Sequence, residues 1–316
     1  MQKQIRKQRK SKLLALLMLL SLTFFAAGCS SSSYTSTDKS HYIIEAKSAM
    51  KMLGEKNVIL VDAQTPDGYS KEHIKGAINI DKDEVNIKVP VAGILGPKDL
   101  FEKVMSAKGI SNDSTVIIYD NQNNSHSSRL LWAMKAYGHE NLKVVSGGIE
   151  ALKKAGAEAS TEVPSVTATN YKAKDLNNEM IVTKDEVKAQ VQNPDKNTIL
   201  LDVRTQQEYD EGTIPGSILL NYEDNNYSDK TFKSSQDIKI MYLENNIKPD
   251  NKIILFCKTS TRAAETYLAL YEAGYKNIRI YDGAWLEWDA DKSLPIQVKD
   301  DGNKDTAAPQ GNQDNS

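Results

Sequence analysis

Lys252-Ile253-Ile254-Leu255-Phe256-Cys257-Lys258-Thr259-Ser260-Thr261-Arg262 passes from a short apolar run through a polar loop into a helical pattern. An uninterrupted apolar run of this length reads as a strand buried on both faces of a sheet. A strand that feeds a helix through so few residues is the unit of an α/β fold, a parallel sheet flanked by helices. Cys257 therefore stands at the carboxyl end of its strand, where sheets of this class bind ligands.

The same pattern recurs elsewhere in the chain. Val116-Ile117-Ile118-Tyr119-Asp120 matches Ile253-Ile254-Leu255-Phe256-Cys257, and the turn at Gly147 matches that at Gly283. Upstream, Val58-Ile59-Leu60-Val61-Asp62 is echoed 140 positions later by Thr198-Ile199-Leu200-Leu201-Asp202, and His73 to Ile78 by Thr213 to Ile218. The offset drifts only from 140 to 136. So long a repeat is a duplicated globular domain and not a solenoid. Strands are expected near 198–202, 252–256 and 278–281, and helices near 235–246 and 262–273. Thr183-Lys184-Asp185-Glu186 reads as a capping box that opens a helix. The expected organisation is a domain over 41–157, a polar surface linker over 158–180 containing Pro164, a second domain over 181–296, and a tail over 297–316 too polar to order itself.

Composition agrees with two packed cores: 316 residues, 40% of them hydrophobic and 26% charged. With 40 Lys and Arg against 42 Asp and Glu, there is no basic footprint for nucleic acid. Two cysteines exclude a disulfide framework and a cysteine-rich zinc site. The amino terminus is uneven, because Lys3, Arg6, Lys7, Arg9, Lys10 and Lys12 precede an uncharged stretch from Leu13 to Ala27. Fifteen residues span roughly 22 Å as a helix, short of the roughly 30 Å of a bilayer core, so residues 1–28 read as a signal peptide. Its end, Ala26-Ala27-Gly28-Cys29, resembles the lipobox of bacterial lipoproteins. That resemblance implies lipid on Cys29, a tether over 29–40 and an extracytoplasmic, membrane-anchored protein. Removing residues 1–28 takes away six basic residues and no acidic ones, so the net charge moves from -2 to -8. Acyl chains, not electrostatic attraction to anionic lipid, must then hold the protein to its membrane.

Cys257 is the thiol that a lipid does not occupy. Its loop is short and polar, so it bends tightly and turns backbone N–H groups inward. Those dipoles, the following helix N-terminus, Lys258 and Arg262 all favour an anion at the sulfur, and a thiolate is expected. His41, His73, His126 and His139 all precede the second copy, which disfavours a Cys-His hydrolase.

Asp202-Val203-Arg204, Gly212 to Ser217, the Cys257-x4-Arg262 loop and Tyr281-Asp282-Gly283-Ala284-Trp285 together resemble a tandem two-domain rhodanese-type sulfurtransferase. The resemblance implies two tandem rhodanese-like domains, the first of them inactive. Asp120 stands in the place of Cys257, and a carboxylate cannot carry a persulfide. By the same resemblance, Cys257 takes sulfane sulfur from a small donor such as thiosulfate and passes it to cyanide or a thiol. Lys258, Thr259, Ser260, Thr261 and Arg262 then bind substrate, and no cofactor or metal is needed. Asp202 and Arg204 resemble a supporting strand-end pair. Arg204 and Glu208, four apart at the start of a short helix, are expected to pair with each other. Many thiosulfate and mercaptopyruvate enzymes of this class carry an arginine where Glu208 stands. Trp285 and Trp288 are expected to pack over the sheet or to line the cleft.

Three other readings compete. A mercaptopyruvate sulfurtransferase usually has small neutral residues in this loop, whereas a cationic loop suits the compact dianion thiosulfate. A dual-specificity phosphatase has Cys-x5-Arg, one residue longer. A tethered persulfide carrier with little turnover uses the same residues. The protein is expected to be a monomer.

Overall fold

A computed structural model describes residues 41–298. The signal peptide, Cys29, the tether and residues 299–316 lie outside them. The first domain runs β1 (Ile43–Ile44), α1 (Ala46–Met52), β2 (Val58–Asp62), α2 (Pro66–Lys71), β3 (His73–Ile74), β4 (Ile78–Asn79), α3 (Lys98–Ala107), β5 (Thr115–Tyr119), α4 (Ser125–Ala136), β6 (Leu142–Val145), α5 (Gly148–Lys154) and β7 (Ala159–Ser160). The second runs β8 (Ile181–Val182), α6 (Lys184–Gln192), β9 (Thr198–Asp202), α7 (Gln206–Glu211), β10 (Ile218–Leu219), α8 (Ser235–Glu244), β11 (Lys252–Phe256), α9 (Thr261–Glu272), β12 (Ile278–Tyr281) and α10 (Ala284–Ala290).

Each domain carries a five-stranded parallel sheet, ordered β1-β6-β5-β2-β4 in one and β8-β12-β11-β9-β10 in the other. The orders correspond element by element, as duplication requires. The central strands are continuous apolar runs because helices cover both faces. Thr183 and Glu186 cap α6 reciprocally: the Thr183 N–H donates to Glu186 at 2.8 Å and the Glu186 N–H to Thr183 at 3.3 Å.

α4 and α9 join the domains. Nearly every side chain on both is buried, including the polar Arg129 and Glu265, and the two helices pack against each other. A helix buried all round belongs inside a core. One apolar cluster accordingly runs from Ile43, Val116 and Leu130 of the first domain to Leu201, Ile253 and Leu268 of the second. The connecting segment after β7 is mostly exposed, yet Tyr171 anchors it by packing against Phe101 and His139. At the other end Gln297, the first residue of the expected disordered tail, is held by backbone bonds to Thr213 of 2.8 and 2.9 Å. Among the described residues no helix is long and apolar enough to cross a membrane.

Candidate active site

β11 pairs with β9 so that Phe256 lies opposite Asp202, and the chain turns immediately after Phe256. Cys257 is the first residue past the strand and is only 1% exposed. The loop closes through Ser260, which has φ 64° and caps α9. That left-handed conformation disfavours a residue with a Cβ. The Ser260 hydroxyl holds it by donating to the Asp282 carbonyl at 2.6 Å and the Tyr281 carbonyl at 3.3 Å. From the far side of the turn, the Trp285 and Leu286 N–H groups donate to the carbonyls of Cys257 and Lys258 at 2.9 and 3.2 Å. Thr259 and Thr261 bring their hydroxyls within 3.4 Å of each other. Lys258 is exposed and forms no ion pair among the described residues.

Arg262 is an electrostatic neighbour of Cys257 and makes a bidentate pair with Glu208 at 2.6 and 2.7 Å. Burial works against its charge, but Glu208 and Cys257 more than compensate and raise its pKa. Burial likewise opposes ionisation of Glu208. Arg262 and Thr205 overcome that and hold its carboxyl at about 2. Thr205 and Glu208 form a second capping box, at the start of α7, which fixes the carboxylate at the mouth of the loop. The sequence signal is Thr-x-x-Glu, the spacing already seen at Thr183 and Glu186.

This geometry corrects the expected pair of Arg204 with Glu208. Spacing of four brings side chains together only within a helix. Here α7 begins at Gln206 with Thr205 as its cap, so Arg204 lies outside the helix. Arg204 instead turns back on Asp202, with contacts of 2.6 to 3.0 Å, and donates to the Gly212 carbonyl at 2.6 Å. Its guanidinium also stacks 4.5 Å from the Trp285 ring. The site is therefore less cationic than its residues implied, because Arg262 on the loop and Arg204 beside it both meet carboxylates. A cavity of about 290 Å³ beside the loop is lined by Arg204, Glu208, Lys258 and Trp285, among others. Trp288 is buried in the core of the second domain. Another cavity, of about 730 Å³, opens near Thr198, Lys252 and Ile278, at the amino ends of the strands and away from Cys257.

The first domain shows what the equivalent loop does without sulfur. β5 pairs with β2 so that Tyr119 lies opposite Asp62, and Asp120 follows as Cys257 does. The Asp120 carboxylate accepts the N–H groups of Gln122, Asn124 and Ser127 at 2.7, 3.1 and 2.7 Å, and the Ser127 hydroxyl at 2.8 Å. The loop is one residue longer than its counterpart, with Asn124 at φ 63° in the place of Ser260.

Residues 45–155 and 183–291 each match the Rhodanese-like domain family. The chain belongs to the rhodanese family. It is 33% identical over 255 residues to a Saccharopolyspora erythraea protein named "Putative thiosulfate sulfurtransferase", covering 75% of this chain and 88% of that one. It is 29% identical over 246 residues to the "Sulfur carrier protein TtuD" of Thermus thermophilus, covering 72% and 86%. Among solved structures, the anaerobic ergothioneine biosynthesis enzyme of Chlorobium limicola superposes with a TM-score of 0.72 over 81% of this chain and 70% of that one. Its 22% identity supports the fold alone. Tandem rhodanese domains with parallel sheets are thus established, and with them membership of a sulfurtransferase family.

Proposed function

We propose that this rhodanese moves sulfane sulfur from thiosulfate to cyanide or a thiol through a persulfide on Cys257. The observation that carries this reading is the placement of Cys257 at a parallel strand's carboxyl end, opening a tight loop that leads into Arg262 at the start of α9. The Cys257 thiolate attacks the outer sulfur of the donor. The donor's S–S bond breaks, its electron pair leaves with sulfite, and a persulfide remains on the enzyme. The acceptor then attacks the outer sulfur and the electron pair returns to Cys257. Lys258 faces solvent on the loop and meets the sulfonate, while the loop N–H groups and Arg262 stabilise the sulfur anion formed in each half-reaction.

Mass spectrometry after mixing with thiosulfate tests the proposal. One sulfur should appear on Cys257, none should appear in Cys257→Ser, and cyanide should discharge it over many turnovers. A clear preference for mercaptopyruvate in kcat/KM would reassign the donor.

The name of the Thermus relative favours a second reading, a carrier that gives its sulfur to a docking protein. A persulfide that forms but that no small acceptor discharges would select it. We further propose lipid anchoring through Cys29 outside the cytoplasm. Cys29→Ser should move the protein out of the membrane fraction.

A further inference from the structure

Support for the Cys257 loop reaches it from the other domain. Asp282, whose carbonyl accepts the Ser260 hydroxyl, sends its carboxylate across the boundary. There one oxygen accepts Arg129 Nη1 at 2.8 Å and the other accepts the Leu95 N–H at 2.8 Å. Arg129 is wholly buried on α4, and its Nη2 donates to Asn86 at 3.0 Å and to the Gly93 carbonyl at 2.7 Å. Gly93 in turn lies against the loop, for a Cβ placed on it would stand 3.0 Å from the Thr259 Cβ. One guanidinium thus fixes two supports, the Asp282 turn that holds Ser260 and the Gly93 turn that touches Thr259.

The repeat supplies an internal comparison. At an offset of 136, Glu265 on α9 takes the place of Arg129 on α4, and Ser146 takes that of Asp282. On that side the Phe232 N–H donates to Ser146 at 2.8 Å, as Leu95 does to Asp282. Among the described residues, Glu265 bonds only within its own domain, to Asn225, Asn226 and Thr266. The buried ion pair forms on the side whose loop carries a cysteine. Such a pair is costly to desolvate and is no general source of stability. Its restriction to that side calls for a role beyond holding two domains together.

The geometry points to Arg129 as a positioning residue, by which the domain without sulfur chemistry sets the shape of the Cys257 loop. The inference rests on Cys257 being the sulfur carrier. Without Arg129, Asp282 keeps only the Leu95 N–H as a cross-domain partner and the Gly93 carbonyl loses its donor, which loosens the hold on Ser260 in a conformation it does not favour.

Arg129→Met, Arg129→Lys and Asn124→Gly test this. Asn124→Gly is the control. It removes two other cross-domain bonds, to Asn226 and the Lys230 carbonyl, both 2.8 Å, at a backbone angle glycine accepts. Two readouts apply: kcat and KM for thiosulfate:cyanide transfer, and hydrogen exchange of the amides over 257–262. Arg129→Met should lower kcat about 10- to 100-fold, the scale of a small misplacement of reacting groups, with KM little changed. It should also speed exchange of the loop amides. Arg129→Lys should recover part of both, since one ammonium reaches Asp282 but cannot span all three acceptors, and it carries the comparison if Arg129→Met does not fold. Asn124→Gly should leave both at the wild-type level. Wild-type kcat and loop exchange in the Arg129 variants overturn the inference, as does an equal loss in Asn124→Gly. If wild-type Cys257 takes up no sulfur, the proposed function fails and loop exchange decides alone. Faster exchange confined to the Arg129 variants then sustains the positioning role, and unchanged exchange ends it.

Discussion

Glu265→Gln should remove a slope from the pH dependence of stability. Glu265 is wholly buried between the domains. Burial pushes its carboxyl up to about 8, against hydrogen bonds from Asn225, Asn226 and Thr266, and Asp120 adds to the rise. Tyr242 and Tyr222 face it as well and bring no positive charge. The protonated form can be accommodated, because Thr266 Oγ1 lies 3.3 Å from Oε2 and can accept that proton by turning its own.

The sign follows from proton counting. Between an ordinary value of 4.5 and about 8 the folded protein holds a proton that the unfolded chain has released. Stability therefore falls as pH rises through this window, by about 1.4 kcal/mol per unit, and is flat below and above it. Across the window the loss comes to roughly 5 kcal/mol. Glutamine cannot ionise, so the variant lacks this slope. A fixed offset of about 1–3 kcal/mol accompanies the change if its amide faces an asparagine amide, and that offset does not vary with pH. The assay is urea unfolding of both proteins from pH 5 to 9, read as the difference in unfolding free energy at each pH. The variant should gain on the wild type with every unit until about pH 8. A difference constant over the whole range would show that Glu265 is ionised throughout and refute the reasoning.

Three further outcomes follow from the site. Glu208→Gln removes the charge that neutralises Arg262 while retaining a capping oxygen, so kcat/KM for thiosulfate should rise about three- to tenfold, the scale of one charge-assisted hydrogen bond. A fall instead would mean that Glu208 is needed to place Arg262. Gly93→Ala forces a Cβ at φ 95° into contact with Thr259. It should cost about 1–3 kcal/mol in thermal unfolding and slow sulfur loading of Cys257. Arg204→Met leaves the buried Asp202 carboxylate without a cation, and denaturant titration should show a loss of about 3–5 kcal/mol.

The fold was legible because its signals are local. Five-residue apolar runs and a Thr-x-x-Glu cap each act over a few residues, and the strands at 198–202, 252–256 and 278–281 lie where those signals put them. Cys257 was legible for the same reason, as the residue that ends a strand. The charge pairings were not. Arg204, Glu208 and Arg262 offered several pairings by spacing, and the choice depended on where α7 starts, one residue after the Thr205 cap. Arg129 was invisible for a stronger reason. Its partner is 153 positions away, and only the packing of α4 on α9 brings Asp282 to it.

Asp120 answers a demand made by its own loop. A loop that turns three N–H groups inward needs an acceptor at its centre, because each buried donor left unpaired costs about 1–3 kcal/mol. Glycine or alanine at 120 would leave the Gln122, Asn124 and Ser127 donors empty. Aspartate supplies a tethered anion at the strand end and meets all three. The first domain thus keeps an anion cradle and occupies it with its own side chain. Asp120→Ala provides the check. It should destabilise the first domain, and that loss should be partly reversed by a small added anion such as formate. Destabilisation that no anion relieves would show that the Asp120 loop does not act as a cradle.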